Sequence, residues 1–225
     1  MALEKRIANK YQLKLRIINI MTHYIIEGVD NLGKGTLIDG IQQLNGPYMI
    51  QHFERPMFSQ KIKNNYMEEF PQIETKVLDY EILRRYQLQS FYNGFQHLRQ
   101  TNVPTIFDRF HLGECVYGPL YRDYSGDYVF LMENIIEDAD VRLILLVTSD
   151  FSFIQDDGLS FDFEARNAEQ DMFISAFHKS NIENKIIIDV NHAGEWADPI
   201  VIRDLAINPN VKTCDRRLEP RIENE

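Results

Sequence analysis

The segment GVDNLGK, residues 28–34, has two glycines and a lysine at the spacing of a phosphate-binding loop. Glycines let such a loop curl so that its backbone N–H groups point at phosphate oxygens, and Lys34 can reach the outer phosphates. An apolar run precedes the segment and an amphipathic helical pattern follows it, so a helix N-terminus would add its positive end. The residues expected to line this site are Gly28, Asn31, Leu32, Gly33, Lys34, Gly35 and Thr36.

Gly35 stands after Lys34, where a serine or threonine hydroxyl commonly binds Mg²⁺. Thr36 offers a hydroxyl one position later, and Asp108 follows a predicted strand whose C-terminal end should lie beside the loop. A carboxylate in that position can hold Mg²⁺ or its water molecules. The sequence therefore predicts a magnesium site at Thr36 and Asp108, and Gly35 does not argue against nucleotide binding.

Arginine and aromatic side chains could hold a second ligand. Arg109 follows Asp108, and its guanidinium can form two parallel hydrogen bonds to a phosphate. In the helical segment before that strand, Tyr80 and Arg84 stand at i and i+4 and so share one face. The ring could stack on a base while the guanidinium donates to a base carbonyl, which thymine and uracil offer. Arg85 and Gln87 are alternatives for the role of Arg84.

Five apolar runs are predicted to be the strands that position these residues. They cover residues 23–27, 48–53, 103–107, 142–148 and 185–190, without the alternation of half-exposed strands. Helical periodicity fills the segments between them, which predicts a three-layer α/β domain of the P-loop NTPase class with a five-stranded parallel sheet. We expect this domain over residues 21–206 with a short lid at about 150–165, an extension at 1–20 and a charged tail at 207–225.

The composition is that of an ordinary globular protein, with 225 residues, 44% of them hydrophobic and 26% charged. The net charge of −10 argues against a protein that mainly binds nucleic acid, because that role needs a basic surface. No window approaches the roughly 20 apolar residues of a membrane span, and the N-terminus lacks the apolar core of a signal peptide. Cys115 and Cys214 form no disulfide framework, which favours a cytoplasmic setting.

These motifs together resemble those of the thymidylate kinase family, a group of P-loop nucleoside monophosphate kinases. The loop EGVDNLGKGT, residues 27–36, resembles the family's Glu-Gly-x-Asp-x-x-Gly-Lys-x-Thr, whose Glu-Gly and Asp are absent from adenylate and guanylate kinases. The segment FDRFHLGECVYG, residues 107–118, resembles its Asp-Arg-Tyr/His motif, with Gly113 where the family usually has serine. YEILRRYQ, residues 80–87, resembles its aromatic-x-x-x-Arg helix, and the likeness extends in order over roughly residues 22–192.

The resemblance implies roles for further residues in binding the acceptor. Asp30 would contact its sugar hydroxyl, and Tyr117 would lie under the sugar and disfavour a 2′-hydroxyl. Arg55, in HFERP after the second strand, would join Arg109 on the acceptor phosphate. The family draws a catalytic arginine from either the phosphate loop or the lid. Because this phosphate loop has no arginine, Arg166 at the end of the lid is expected to neutralise the transferred group.

The activity implied by the resemblance is ATP-dependent phosphorylation of a pyrimidine deoxynucleoside monophosphate, with dTMP as the expected substrate and dTDP as the product. Lys34, Asp108, Arg109 and Arg166 would form the catalytic group, with ATP and Mg²⁺ as cofactors. Asn191 and His192 follow the fifth strand, where family members place the adenine of ATP. A homodimer formed through core helices is implied in the same way.

Three other functions remain open. A deoxynucleoside kinase would use Glu27 as the base that deprotonates a 5′-hydroxyl, although such enzymes usually have Glu-Arg-Ser where this chain has Asp-Arg-Phe. A kinase acting on a modified base within DNA would need a basic groove. A non-catalytic nucleotide-binding module would keep the loop without the chemistry, and Gly35 and the few arginines are compatible with it.

Overall fold

A computed structural model of the chain describes residues 22–53, 75–154, 163–192 and 194–211, and only the backbone of residues 75–81 and 163–164. Within these residues one sheet contains β1 His23–Glu27, β2 Met49–His52, β3 Thr105–Asp108, β4 Val141–Val147 and β5 Lys185–Asp189. The strand order is β2-β3-β1-β4-β5, and every neighbouring pair is parallel. The predicted five-stranded parallel sheet is confirmed.

Helices follow the strands and flank the sheet. They are α1 Lys34–Asn45, α2 Thr75–Gln100, α3 Leu112–Arg122, α4 Val129–Met132, a 3₁₀ turn Glu133–Ile136, α5 Phe163–Lys179 and α6 Pro199–Ile207. A short antiparallel hairpin of β6 Asn191–His192 and β7 Glu195–Trp196 separates β5 from α6. α6 begins where Asp198 accepts a hydrogen bond from the N–H of Ile200 and Pro199 occupies the first turn, which is a favoured helix start.

The central strands β1 and β4 are buried along their whole length, as expected for parallel strands covered on both faces. The edge strand β2 is partly exposed. β3 begins at Thr105 rather than at the predicted residue 103, because Pro104 has no N–H to donate to a neighbouring strand. This later start and end put Asp108 within β3 and Arg109 directly after it.

The inward face of α2 carries the buried side chains Leu83, Gln87, Phe91, Phe95 and Leu98. Leu88 and Tyr92 also belong to the hydrophobic residues of this helix, but each is 45% exposed because both lie on its outer side.

Several expectations fall on residues that the structure does not describe. These are the extension at 1–20, Arg55, the side chain of Tyr80, most of the lid and the tail beyond residue 211. Across the described ranges, none of the helices is both long and apolar enough to cross a membrane.

Candidate functional site

The phosphate-binding loop joins β1 to α1, as the sequence predicts. Gly28 has a φ of 136°, and a Cβ built on it would lie 2.5 Å from the carbonyl oxygen of Leu146 in β4. Only glycine fits both the conformation and the space. Asn31 and Gly33 also have positive φ values, of 66° and 77°. These three residues give the loop the curl that turns backbone N–H groups toward a phosphate.

Lys34 is the first residue of α1 and is buried. Its Nζ donates hydrogen bonds to the carbonyl oxygens of Gly28 at 3.0 Å and Val29 at 2.7 Å, and lies 3.7 Å from Asp30 Oδ1. Burial, together with the nearby Arg109 guanidinium, lowers the pKa of Lys34, while neighbouring carboxylates oppose that shift. The ammonium group is therefore held within the loop, where a polyphosphate would compete with the loop carbonyls for it.

Asp108 lies opposite His52 in the register of β3 with β2. Asp108 Oδ2 is 2.8 Å from His52 Nδ1, a contact that the sequence did not reveal. The other oxygen, Oδ1, is buried and has no hydrogen-bond partner among the described residues. An unsatisfied buried carboxylate oxygen fits a cation or its water at this position. Thr36, the other predicted metal ligand, is exposed in the first turn of α1.

Arg109 has a φ of 62°, which is uncommon for a residue with a side chain. Its N–H donates to the carbonyl of Ile26 at 2.9 Å, which fixes the backbone against β1. Its Nη2 forms a close ion pair with Asp30 Oδ1 from the phosphate loop. Such backbone conformations cost about 1–3 kcal/mol and are found most often at functional sites. The strained turn directs Arg109 at the loop.

A cavity of about 310 Å³ opens beside the loop. It brings together four residues predicted to bind the acceptor or act in catalysis, namely Asp30, Arg109, Tyr117 and Arg166. Arg166 lies on α5, four residues into the helix, and is buried. The sequence could not place these side chains relative to one another, because they come from the loop, the end of β3, α3 and α5.

Tyr117 donates a hydrogen bond from its hydroxyl to Glu169 Oε1 at 2.7 Å. Both residues line the cavity. Glu169 is not among the residues that the sequence predicts for this site. Burial raises the pKa of the Glu169 carboxyl, and the negative charge of Asp30 adds to the effect.

The far part of the cavity differs from the prediction. Arg84 is exposed and is not among the residues that line the cavity, whereas Gln87, one turn later on α2, is buried and lines it. Phe91 is close by and forms aromatic contacts with Phe53, at a centroid distance of 6.1 Å, and with Phe110, at 5.5 Å. Gln87 was an alternative to Arg84 in the sequence, and of the two it is Gln87 that lines the cavity.

Glu27, the last residue of β1, is fully buried and lines the same cavity. Its Oε1 accepts hydrogen bonds from the N–H groups of Phe110 at 3.0 Å and Leu112 at 2.9 Å. Its Oε2 is buried and has no hydrogen-bond partner within the described part of the chain. Burial raises the pKa of this carboxyl, although the nearby His111 and the two N–H groups act in the opposite direction.

A second cavity, also of about 310 Å³, lies on the other side of the loop. Its lining includes Asn31, Gly33 and Thr36, together with the largely apolar segment Trp196, Ala197 and Pro199. Neither Asn191 nor His192 lines it. Asn191 instead accepts a hydrogen bond from the N–H of Gly194 at 3.1 Å, which closes the hairpin that carries Trp196.

Trp196 is the aromatic residue of this cavity, and the sequence did not single it out. Its ring lies 3.8 Å from where a Cβ on Gly33 would be, and it packs edge-on against Phe153 at a centroid distance of 4.9 Å. The indole is 47% exposed, which leaves area for a planar ligand beside the loop. Its position depends on the β6–β7 hairpin, and two-residue strands give no periodic signal in a sequence.

Comparison with known proteins yields likeness in structure only, since no protein-family model and no curated protein matches the chain. The YorR protein of Bacillus subtilis, solved in complex with phosphorylated GDP, is 17% identical over 82% of this chain and 93% of its own, with a TM-score of 0.52. The P-loop fold is confirmed. Thymidylate kinase from Ehrlichia chaffeensis is 15% identical over 82% of this chain and 96% of its own, with a TM-score of 0.47.

Proposed function

We propose that this protein is a divergent thymidylate kinase, which transfers the γ-phosphoryl group of ATP to dTMP and produces dTDP and ADP. The observation that carries the proposal is the single cavity that contains the Asp30–Arg109 pair, Tyr117 and Arg166 beside the phosphate loop. A nucleotide kinase must bring two anionic ligands into line and neutralise the charge between them. Two arginines beside a phosphate loop are suited to that task.

The donor nucleotide would bind across the loop. Backbone N–H groups of residues 28–33 and the Lys34 ammonium would hold its phosphates. Its adenine would enter the apolar cavity and stack on Trp196, while Asn191 and His192 would act only through the hairpin that positions this ring. Asp108, whose Oδ1 has no hydrogen-bond partner among the described residues, and Thr36 would hold Mg²⁺, which supplies positive charge to the phosphates when it is bound.

The acceptor would occupy the first cavity. Arg109 would donate hydrogen bonds to the acceptor phosphate and keep its ion pair with Asp30. The Asp30 carboxylate could also accept a hydrogen bond from the sugar hydroxyl. The Tyr117–Glu169 pair would pack against the sugar and leave no room for a 2′-hydroxyl. Arg166 would stabilise the charge that develops on the transferred group. Arg55 and Tyr80 keep their predicted acceptor-binding roles, while Gln87 takes the place of Arg84 at the base.

A deoxynucleoside kinase is the second candidate, because Glu27 Oε2 has no hydrogen-bond partner among the described residues and Glu27 lines the acceptor cavity. A carboxylate in that position could accept the proton of a 5′-hydroxyl. The two backbone N–H groups held by Oε1 give Glu27 a structural role that needs no base chemistry. The net charge of −10 supports a small acceptor over a base within DNA.

A coupled assay of ADP release separates these functions. Purified protein is supplied with ATP and Mg²⁺ and, in turn, with dTMP, dUMP, dCMP, dGMP and thymidine. We expect turnover with dTMP, and Lys34→Met should abolish it. Turnover with thymidine that is lost in Glu27→Gln, without turnover on dTMP, would establish the deoxynucleoside kinase instead. ATP binding without ADP release on any acceptor would indicate a non-catalytic module.

The proposal includes assembly as a homodimer in the cytoplasm. Light scattering on the eluted protein, with and without nucleotide, measures the mass of the assembly directly. A mass of one chain under assay conditions would contradict the dimer without affecting the proposed reaction.

A further inference from the structure

An ion pair that the proposed reaction does not use lies in the lining of the acceptor cavity. It joins Glu114, in the first turn of α3, to Arg122, the last residue of that helix. Arg122 Nη1 donates to Glu114 Oε2 at 2.7 Å. The two side chains are 2% and 6% exposed, and both line the cavity. Burying a charged pair is costly, so its place in the cavity calls for a chemical reason.

Glu114 is largely satisfied by the protein itself. Besides Arg122, its Oε1 accepts hydrogen bonds from the hydroxyl groups of Tyr124 at 2.6 Å and Tyr128 at 2.8 Å. A carboxylate has about four lone-pair positions, so three of them are filled. The carboxylate and the two tyrosines thus hold the Arg122 guanidinium in a fixed position.

Arg122 has more donors than these contacts use. Its hydrogen bonds to Glu114 and to the Tyr124 hydroxyl, at 2.7 Å and 3.3 Å, both come from Nη1. A guanidinium has five N–H donors, and those of Nε and Nη2 do not take part in either bond. Because Arg122 borders the cavity, these donors can serve a ligand.

We infer that Arg122, held by Glu114, reads an exocyclic carbonyl oxygen on the base of the acceptor nucleotide. The inference rests on the proposed function, since it assigns the far part of the acceptor cavity to the base. Gln87 lines the same cavity, and its amide can both donate to and accept from the base edge. The aromatic contacts of Phe91 with Phe53 and Phe110 provide a surface for the flat face of the ring.

The chemistry of the base edge gives a preference. Thymine and uracil carry a carbonyl at C4 and guanine carries one at C6, and each can accept from a guanidinium. Cytosine and adenine carry an amino group there, which would set donor against donor. Glu114 offers little compensation, because three of its lone-pair positions are already filled. The acceptor site should therefore favour dTMP, dUMP and dGMP over dCMP and dAMP.

The test is calorimetric binding to the full chain with a matched pair of ligands. One is dTMP, and the other is the same nucleotide with hydrogen in place of the C4 carbonyl oxygen, a change that also removes the proton from N3, so the variants described below assign the effect to the carbonyl. The wild-type protein should bind the carbonyl-free analogue about 10- to 100-fold more weakly, because a hydrogen bond to a charged donor is lost. Equal affinity for the two ligands would overturn the inference, and this comparison needs no variant.

Variants then identify the residue responsible. Arg122→Gln should weaken binding of dTMP by about 10- to 100-fold and leave binding of the analogue unchanged, so that the two affinities converge. Arg122→Lys, which keeps the charge but not the planar fork, should retain part of the difference. Exposed Arg99 on α2 supplies the control, since Arg99→Gln should preserve the full difference. If Arg122→Gln keeps the wild-type difference in affinity between dTMP and the analogue, another residue binds the carbonyl and the inference is wrong.

Binding measured with dTMP, dUMP, dGMP, dCMP and dAMP distinguishes a failure of the proposed function from a failure of the carbonyl preference. If none of the five binds, the proposed function fails. If they bind but dCMP binds as tightly as dTMP, the proposed function stands and the carbonyl preference is wrong. A preference for dGMP over dTMP would still support Arg122 as the residue that binds the base carbonyl. It would also show that the proposed reaction names the wrong acceptor base.

Discussion

Replacing Arg166 tests whether the buried arginine of α5 acts in catalysis. Arg166 is 7% exposed, whereas the side chain of Arg109 is 41% exposed and ion-paired with Asp30. Charge that develops on the transferred phosphoryl group interacts more strongly with a cation that is shielded from water. We therefore expect Arg166→Ala to lower turnover more than binding, since the interaction strengthens as the transition state forms.

The magnitude follows from the burial of the side chain. Two unit charges about 4 Å apart interact by about 4 kcal/mol at an effective dielectric constant of about 20. A change of about 1.4 kcal/mol in the barrier is tenfold in rate, so a loss of about 4 kcal/mol lowers kcat by about 1,000-fold. For Arg109, which faces water, the loss in kcat should be smaller and the rise in the KM of the acceptor larger.

The assay is a single-turnover measurement of ADP formation with ATP and dTMP. It is made on the wild-type protein, on Arg166→Ala and Arg166→Lys, and on Arg99→Ala as a control for the loss of an exposed arginine. Thermal unfolding of each variant is recorded so that a folding defect is not taken for a catalytic one. A rate for Arg166→Ala within threefold of wild type would refute the reasoning, as would an equal loss in the Arg99 control.

Three further predictions concern the donor cavity, the loop and the buried carboxyl. Trp196→Ala should raise the KM for ATP about tenfold through lost stacking, and Trp196→Phe should recover most of it in the ADP-release assay. Gly28→Ala should lower the free energy of unfolding in urea by about 2–4 kcal/mol, because its Cβ would meet the carbonyl of Leu146, whereas Gly35→Ala, with no atom within 4 Å, should not. Burial raises the pKa of Glu27 in the folded state. The free energy of unfolding of the wild-type protein, relative to that of Glu27→Gln, should therefore be greatest below about pH 4.3 and should fall as the pH rises through the raised pKa. Urea unfolding across that range measures the slope, and a rise with pH would contradict the assignment.

Contiguous motifs explain why much of the fold and the loop could be predicted. β1 has the predicted bounds, because five buried residues in a row lie directly before the glycine that ends the strand. The loop and Asp108–Arg109 are short segments whose residues position one another locally. Both segments lie at the carboxyl ends of strands in one parallel sheet, and this alone brings them to the same edge of the sheet.

Contacts between distant segments could not be predicted in the same way. The pairing of His52 with Asp108 depends on the register of β2 with β3, and polar residues at strand ends do not fix a register. On α2 the inward face runs through Leu83, Gln87 and Phe91 at i, i+4 spacing, and Arg84 lies one residue away from it. One residue is about 100° of helix rotation, which is enough to turn Arg84 to solvent.

Glu27 links the two halves of the site, and this link bears on which reaction they perform. It is the residue directly before the phosphate loop, and its carboxylate accepts hydrogen bonds from the N–H groups of Phe110 and Leu112. Those two residues follow Arg109, whose own N–H is bonded to β1 at Ile26. The strained turn at Arg109 is thus held at both ends by β1. If Arg109 binds the acceptor phosphate as proposed, a glutamate that positions it is most useful to an enzyme whose acceptor has a phosphate, which supports the proposed monophosphate kinase over a deoxynucleoside kinase.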